Sequence, residues 1–174
     1  MSTSSSNDFV ICKPPTLPTI IGASVFLAGS IEMGTAIDWQ SDVTAALRHL
    51  PVTVLNPRRD DWDKSWTQDI SNPHFREQVD WEMNHLQKAD IIALFFQPGT
   101  MSPISLLELG LHASDGKLVV CCPEGFWRRG NVQMVCHTYK IPLFETPEEL
   151  KEAVKQRLED VIKQRRVFER KLDV

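Results

Sequence analysis

Short apolar runs alternate along this chain with stretches in which apolar side chains recur every three or four residues. The runs at residues 24–28 (SVFLA), 52–55, 91–96, 118–122 and 141–144 have the length and composition of buried strands. Helical patterns lie between them. Ile37, Val43, Ala46, Leu47 and Leu50 form a stripe that predicts a helix opening at Thr35 or Ala36 and running to about His49, with Pro51 as its stop. Asn72-Pro73 starts a second helix, which runs to about Gln87. Residues 104–114 and 131–138 supply a third and a fourth. Thr146-Pro147-Glu148-Glu149 joins an N-cap, a proline at the first helical position and a capping-box glutamate, so a last helix opens there and runs to about Arg170.

Five strands alternating with helices imply a parallel sheet covered on both faces, a single-domain three-layer αβα architecture. Right-handed crossovers then favour the flavodoxin-like, Rossmann-like strand order 2-1-3-4-5. In that order the loops after strands 1, 3 and 4 converge at the C-terminal ends of the strands, where such folds bind ligands. Those loops hold Gly29-Ser30, residues 98–103 and residues 123–130. Residues 1 to about 8 are serine-rich and expected to be disordered. Residues 9–21, broken by Pro14, Pro15 and Pro18, read as an extended arm on the domain surface, with at most a short edge strand at 9–12. The leader and arm thus span 1–22 and the α/β domain 23–174. The loop at 56–72, NPRRDDWDKSWTQDISN, is too long and too rich in charge and tryptophan for a plain connector.

Composition narrows the function classes. A chain of 174 residues with 42% hydrophobic positions can build one core. Its formal net charge of −4, with arginine pairs only at 58–59, 128–129 and 165–166, gives no broad basic surface for a nucleic acid polymer. The start of the chain lacks a signal-peptide pattern and no apolar run nears membrane-spanning length, so a soluble, cytoplasmic protein is expected. Cys12, Cys121, Cys122 and Cys136 have no zinc or thioredoxin spacing and read as reduced thiols. The five histidines form no metal-ligand spacing. The stretch GSIEMG is no dinucleotide fingerprint, and neither a phosphate-binding P-loop nor a nucleophile elbow occurs.

The candidate chemistry rests on carboxylates. Glu108 lies mid-helix among Leu106, Leu107, Leu109 and Leu111, where a carboxylate is partly desolvated and needs a reason to be present. Asp80 and Glu82 lie on the helix leading into strand 3. Two residues apart, they cannot share a face, so one points at the site and the other at solvent. Gly29 allows close approach to the backbone after strand 1, and Ser30 follows it. Ser102 and Ser105 flank Pro103, and either can cap the Glu108 helix. In the long loop, Trp62 can stack on a planar ligand while a neighbouring aspartate takes its hydrogen bonds.

Together the segments VFLAGSI, KADIIALFF and SPISLLELGLHASDGK resemble the nucleoside 2-deoxyribosyltransferase superfamily. NPRRDDWDKSW, FREQVDWE and CCPEGFWRRGNV are similar to its "nucleoside 2-deoxyribosyltransferase-like" branch, and the resemblance spans about residues 25–144. It implies a glutamate nucleophile at Glu108 that attacks the anomeric carbon of a nucleoside or nucleotide. It implies a second acid at Glu82, with Asp80 as the alternate, and a polar position six residues before the nucleophile at Ser102. Gly29 and Ser30 match the segment that cradles the sugar or its 5′-phosphate, while Asp61 and Trp62 are candidate base contacts from loop composition and the branch resemblance, without a residue-by-residue match. The resemblance further implies no metal or other cofactor, and a homodimer or larger ring with shared sites, in which Arg128, Arg129 and Asn131 could reach a neighbour. One departure stands out: Phe26 occupies the strand near which family transferases often carry a tyrosine, and the sole tyrosine is Tyr139. Three readings follow: deoxyribosyl transfer to another base or to water, nucleoside 5′-monophosphate N-glycosidase activity, or a nucleotide-sensing module without turnover.

Overall fold

The computed structural model describes residues 8–31 and 36–172. The disorder expected for residues 1 to about 8, Asp8 apart, and the helix start at Thr35 lie outside the described residues. Six strands form one parallel sheet: β1 (Val10–Cys12), β2 (Ala23–Gly29), β3 (Val52–Leu55), β4 (Ile91–Phe95), β5 (Leu118–Cys121) and β6 (Leu143–Phe144). Their order is β1-β3-β2-β4-β5-β6, which corrects the five-stranded sheet of order 2-1-3-4-5. The added strand comes from the arm. β1 pairs in parallel with β3, Val10 opposite Thr53 and Cys12 opposite Leu55. The prolines follow this strand instead of interrupting it, so its three residues keep their N–H groups for the ladder. The other five strands keep the expected relative order.

Helices α1 (Trp39–Leu47) and α5 (Pro147–Leu172) cover one face of the sheet, and α2 (Pro73–Lys88), α3 (Pro103–His112) and α4 (Arg129–Tyr139) cover the other. Strand side chains alternate between the two cores, as a period of two demands. Val25 and Leu27 face α1 and α5, whereas Phe26 and Ala28 face α2, α3 and α4. Cys121 and Cys122 divide in the same way, one thiol to each core. Burial pushes both thiols up, to about 12 and about 11, so neither is a ready nucleophile at neutral pH.

Caps fix the helix starts. α1 opens later than the apolar stripe suggests, because the Asp38 side chain accepts a hydrogen bond from the Ser41 N–H and places the first helical residue at Trp39. Asn72 caps α2 through the His74 and Phe75 N–H groups. The capping box at α5 forms as the sequence implies: the Glu149 N–H donates to Thr146 Oγ1 at 3.2 Å, and the Thr146 N–H to Glu149 Oε2 at 3.0 Å. Among the described residues no helix is long and apolar enough to cross a membrane.

Asp90 sits at the N-terminal edge of the sheet, away from the strand ends that bear the site. Its Oδ2 accepts from the Ser24 N–H at 2.8 Å and the Ser24 hydroxyl at 3.0 Å, and its Oδ1 accepts from Arg165 at 2.6 Å. Arg165 also donates to the Gly22 carbonyl. One carboxylate therefore clasps β2, the start of β4 and the far part of α5. Asp90→Ala should lower stability by about 2–3 kcal/mol, the worth of several charge-assisted bonds lost at a partly buried acceptor. Urea unfolding reads this directly. An Arg165→Ala midpoint shift as large as that of Asp90→Ala would show that the strand contacts matter little.

Candidate active site

The site is built at the C-terminal ends of β2 and β4. Gly29 closes β2 at φ +132°, and a Cβ there would lie 2.3 Å from the Phe95 carbonyl oxygen. The close approach that requires glycine is thus made by the neighbouring strand, not by a ligand. Ser30 follows, buried, with its N–H on the Phe95 carbonyl at 2.8 Å and its own carbonyl accepting from the Trp39 indole at 3.2 Å. Its hydroxyl meets those of Thr100 at 2.9 Å and Ser102 at 2.6 Å, and the latter two are 2.9 Å apart. The Gln97 N–H donates to Ser30 Oγ, and Thr100 donates to the Gln97 carbonyl. These buried hydroxyls weld the end of β2 to the turn after β4.

That turn launches α3. Ser102 precedes Pro103 at φ 44°, ψ 50°, the left-handed region that an L residue holds only under constraint. It stands at the N-cap without a side-chain capping bond, because its hydroxyl belongs to the Ser30–Thr100 cluster. The cluster thereby sets the launch angle of α3. Ser105, Leu109 and His112 form the buried face of that helix. At 100° per residue, Glu108 lies beside this face, on the flank opposite Leu106 and Gly110.

Glu82 approaches from α2. Gln78, Trp81 and His85 are buried on that helix, and Glu82 borders them. Glu82 and Glu108 are both half-buried. Desolvation pushes Glu82 up to about 7, although the Gln78 amide, donating to its Oε1 at 2.7 Å, favours the charged form. Desolvation pushes Glu108 up to about 8, with the Glu82 charge as a further cause. The Glu82 charge on one helix thus raises the proton affinity of Glu108 on another, and burial raises that of both.

The remaining expected residues divide. Asp80 is exposed and pairs with Arg76 at 3.4 Å, and it is the charge of Glu82 that Glu108 feels. Asp61 is exposed and its carboxylate is gripped by Arg59, at 2.6 and 3.3 Å; this partner holds it below the usual carboxylate range. Arg59 also reaches Glu77 of α2 at 3.2 Å and lies over the Trp66 ring. Trp66 stacks on His74, and Trp62 packs edge-on against Trp66 at 5.2 Å. The long loop is thus pinned to α2, one turn before Glu82, while Gln78 donates to its root at Pro57. Phe26 is fully buried, 6.0 Å from the Trp81 ring.

Asn131 is not brought to the glutamate pair within the chain. It lines a cleft of about 350 Å³ between α3 and α4, on the flank of α3 away from Glu108, beside Trp127 and Arg128. Arg128 lies over the Trp127 ring at 4.2 Å. Arg129 turns inward to the Cys122 carbonyl and to Glu145, so it is engaged within its own chain. Two residues escaped the sequence reading. Thr100 was hidden in a turn. Gln78 was signalled only by its spacing, four residues before Glu82 and so on the same helix face. Among the described residues no three histidine, cysteine or acidic side chains come together as a metal site.

A family model described as "Nucleoside 2-deoxyribosyltransferase like" matches residues 22–126, more than half of the chain, and includes Gly29, Ser30, Glu82, Ser102 and Glu108 but not Asn131. No curated protein sequence matches. Among solved structures, a crystal structure of a conserved protein from Enterococcus faecalis V583 aligns with TM-score 0.56 at 15% identity, covering 78% of this chain and 99% of that one. A likeness at that identity shows a shared fold.

Proposed function

The chain belongs to the nucleoside 2-deoxyribosyltransferase-like family, and from its two desolvated glutamates we propose that it cleaves the N-glycosidic bond of 2-deoxynucleosides and passes the sugar to another base or to water. Family membership supports a general glycosyl-transfer or N-glycosidase role. What supports the finer reading is that Glu108 on α3 and Glu82 on α2 are both desolvated and that the Glu82 charge bears on Glu108.

The steps use both groups. In the free site Glu108 holds a proton more tightly than Glu82, so the reactive form is the tautomer in which that proton has moved to Glu82. Ionised Glu108 then attacks C1′ as the bond to the base nitrogen breaks and its electron pair leaves with the base. Protonated Glu82 gives its proton to that nitrogen. The sugar is then held as an ester of Glu108, formed through an oxocarbenium-like transition state. A second base, or water, attacks C1′ from the vacated side, surrenders its proton to Glu82 and releases the Glu108 carboxylate. Two inversions give net retention.

Ser30, Thr100 and Ser102 serve this reaction by fixing the start of α3, and hence Glu108. Gly29 and Ser30 act on the sugar only through the turn that sets α3, and the loop that carries Asp61 and Trp62 lies on the proposed base side. Asn131 contributes from a second copy of the chain. Exposed Met101, Ile104, Leu107 and Leu111, on the turn and helix that carry Glu108, offer apolar surface for that copy.

The test is incubation with a 2-deoxynucleoside and a different base, followed by chromatography and by intact mass of the protein. The proposal expects base exchange and a deoxyribosyl mass on the peptide containing Glu108. Release of base from 5′-monophosphates alone would replace transfer by nucleotide hydrolysis. Saturable binding with no product and no adduct would remove catalysis.

A further inference from the structure

We infer that Gln78 is a positioning residue that keeps Glu82 Oε1 a hydrogen-bond acceptor, so that the transferable proton of Glu82 resides on Oε2. The inference rests on the proposed acid role of Glu82 and adds the atom that performs it.

Three observations carry it. Gln78 is buried, on α2 one turn before Glu82. Its Nε2 donates at once to the Pro57 carbonyl at 3.0 Å and to Glu82 Oε1 at 2.7 Å. Its Oε1 is buried and has no hydrogen-bond partner.

The Pro57 carbonyl has no proton to give, so it fixes the amide with nitrogen inward. Turning the amide over would set oxygen against oxygen at Pro57. The nitrogen must therefore face Glu82 as well, and a donor there excludes a proton on the contacted carboxyl oxygen. When Glu82 is protonated, the hydrogen sits on Oε2. The orphaned Gln78 oxygen fits the same account. A buried acceptor without a partner opposes folding, and the orientation that creates it persists because two other acceptors require the nitrogen.

The bond also divides the proton between the two carboxyls. A donor aimed at Oε1 favours ionised Glu82 and so moderates its proton affinity below what burial alone would give. Glu108 is the charged group that couples to Glu82 from α3. From the loop, Arg59 is held by Asp61 and Glu77, and Arg58 lies near Asp38 at 3.8 Å. On α2 itself Arg76 pairs with Asp80 on the exposed side.

The test follows Glu82 directly, by NMR of protein carrying ¹³Cδ-labelled glutamate, with Glu82→Gln used to assign its resonance. In Gln78→Leu the Glu82 midpoint should rise by about one pH unit, and the alkaline limb of kcat/KM should rise with it. In the wild-type protein, which needs no substitution to fold, the Gln78 side-chain N–H resonances should shift with the Glu82 midpoint. An unchanged midpoint in folded Gln78→Leu, or a wild-type Gln78 amide indifferent to Glu82 ionisation, overturns the inference. If the midpoint moves and the amide responds while no variant or wild type cleaves any nucleoside, the proposed reaction fails and the role of Gln78 stands.

Discussion

Glu108→Gln is expected to lower base exchange by at least about 10³-fold and to abolish the sugar adduct, with substrate binding retained. Glutamine fills the same volume but cannot form the ester at C1′. Loss of a nucleophile is costly because the remaining groups cannot supply a second route of similar height. Steady-state rates, with intact mass as the companion measurement, decide it. Near-normal turnover in Glu108→Gln or Glu108→Ala would remove Glu108 from the chemistry.

The same substitution has a stability signature that tests its inward placement. The proton affinity of folded Glu108 is raised, to about 8 from an ordinary 4.5. Between those values the unfolded chain gives up its proton while the native state keeps it, so the native state binds more protons. Stability therefore falls as pH rises from about 4.5 to about 8 and is flat beyond. Glu108→Gln removes that loss. Its melting temperature should exceed that of the wild type by more at pH 8 than at pH 5. Equal differences at the two pH values would mean that the carboxyl group lies in water.

Glu82→Gln is expected to cost about 10²–10⁴-fold with natural bases, the range for a lost general acid. The amide oxygen can still accept from Gln78, so the local scaffold stays intact. Two further readings separate an acid from a structural carboxylate. The alkaline limb of the pH profile should disappear, since in the wild type activity falls as Glu82 loses its proton. Substrates whose leaving group departs without protonation should be cleaved at close to the wild-type rate. A uniform loss across all leaving groups would assign Glu82 a packing role. Asp80→Asn, on the exposed side of α2, should change the rate by less than about twofold.

Much of this architecture was legible in the sequence. The five apolar runs and the helical stripes between them specified a parallel sheet with helices on both faces, because buried strands and amphipathic helices carry different periods. The caps at Asn72 and Thr146 were readable because side-chain capping is local chemistry. Capping by Asp38, which delays α1, competed with an apolar stripe that begins earlier, and the cap prevailed. The edge strand offered at 9–12 forms as β1, and what the sequence did not supply was its place in the sheet beside β3, which made the sheet six-stranded.

At the site, the residue types were visible and their partners were not. A glutamate among leucines at 108 announced a desolvated carboxyl, and the two-residue spacing of Asp80 and Glu82 announced that only one could face inward. Which one did so depended on how α2 rotates against the sheet. That rotation is set by the burial of Trp81 and His85 and by the bond from Gln78 to Pro57.

The sequence alone therefore determined the layers, most of the helix starts and the acidic character of the site, all of which follow from neighbours within a few positions. Tertiary structure alone decided that the charge of Glu82 bears on Glu108, that Gly29 yields to Phe95, that the hydroxyls of Ser30 and Thr100 hold Ser102 in a left-handed turn, and that Asn131 faces a separate cleft. Those contacts join positions dozens of residues apart or fix the sense in which a helix turns. Both depend on the packing of the whole sheet, which no local pattern encodes.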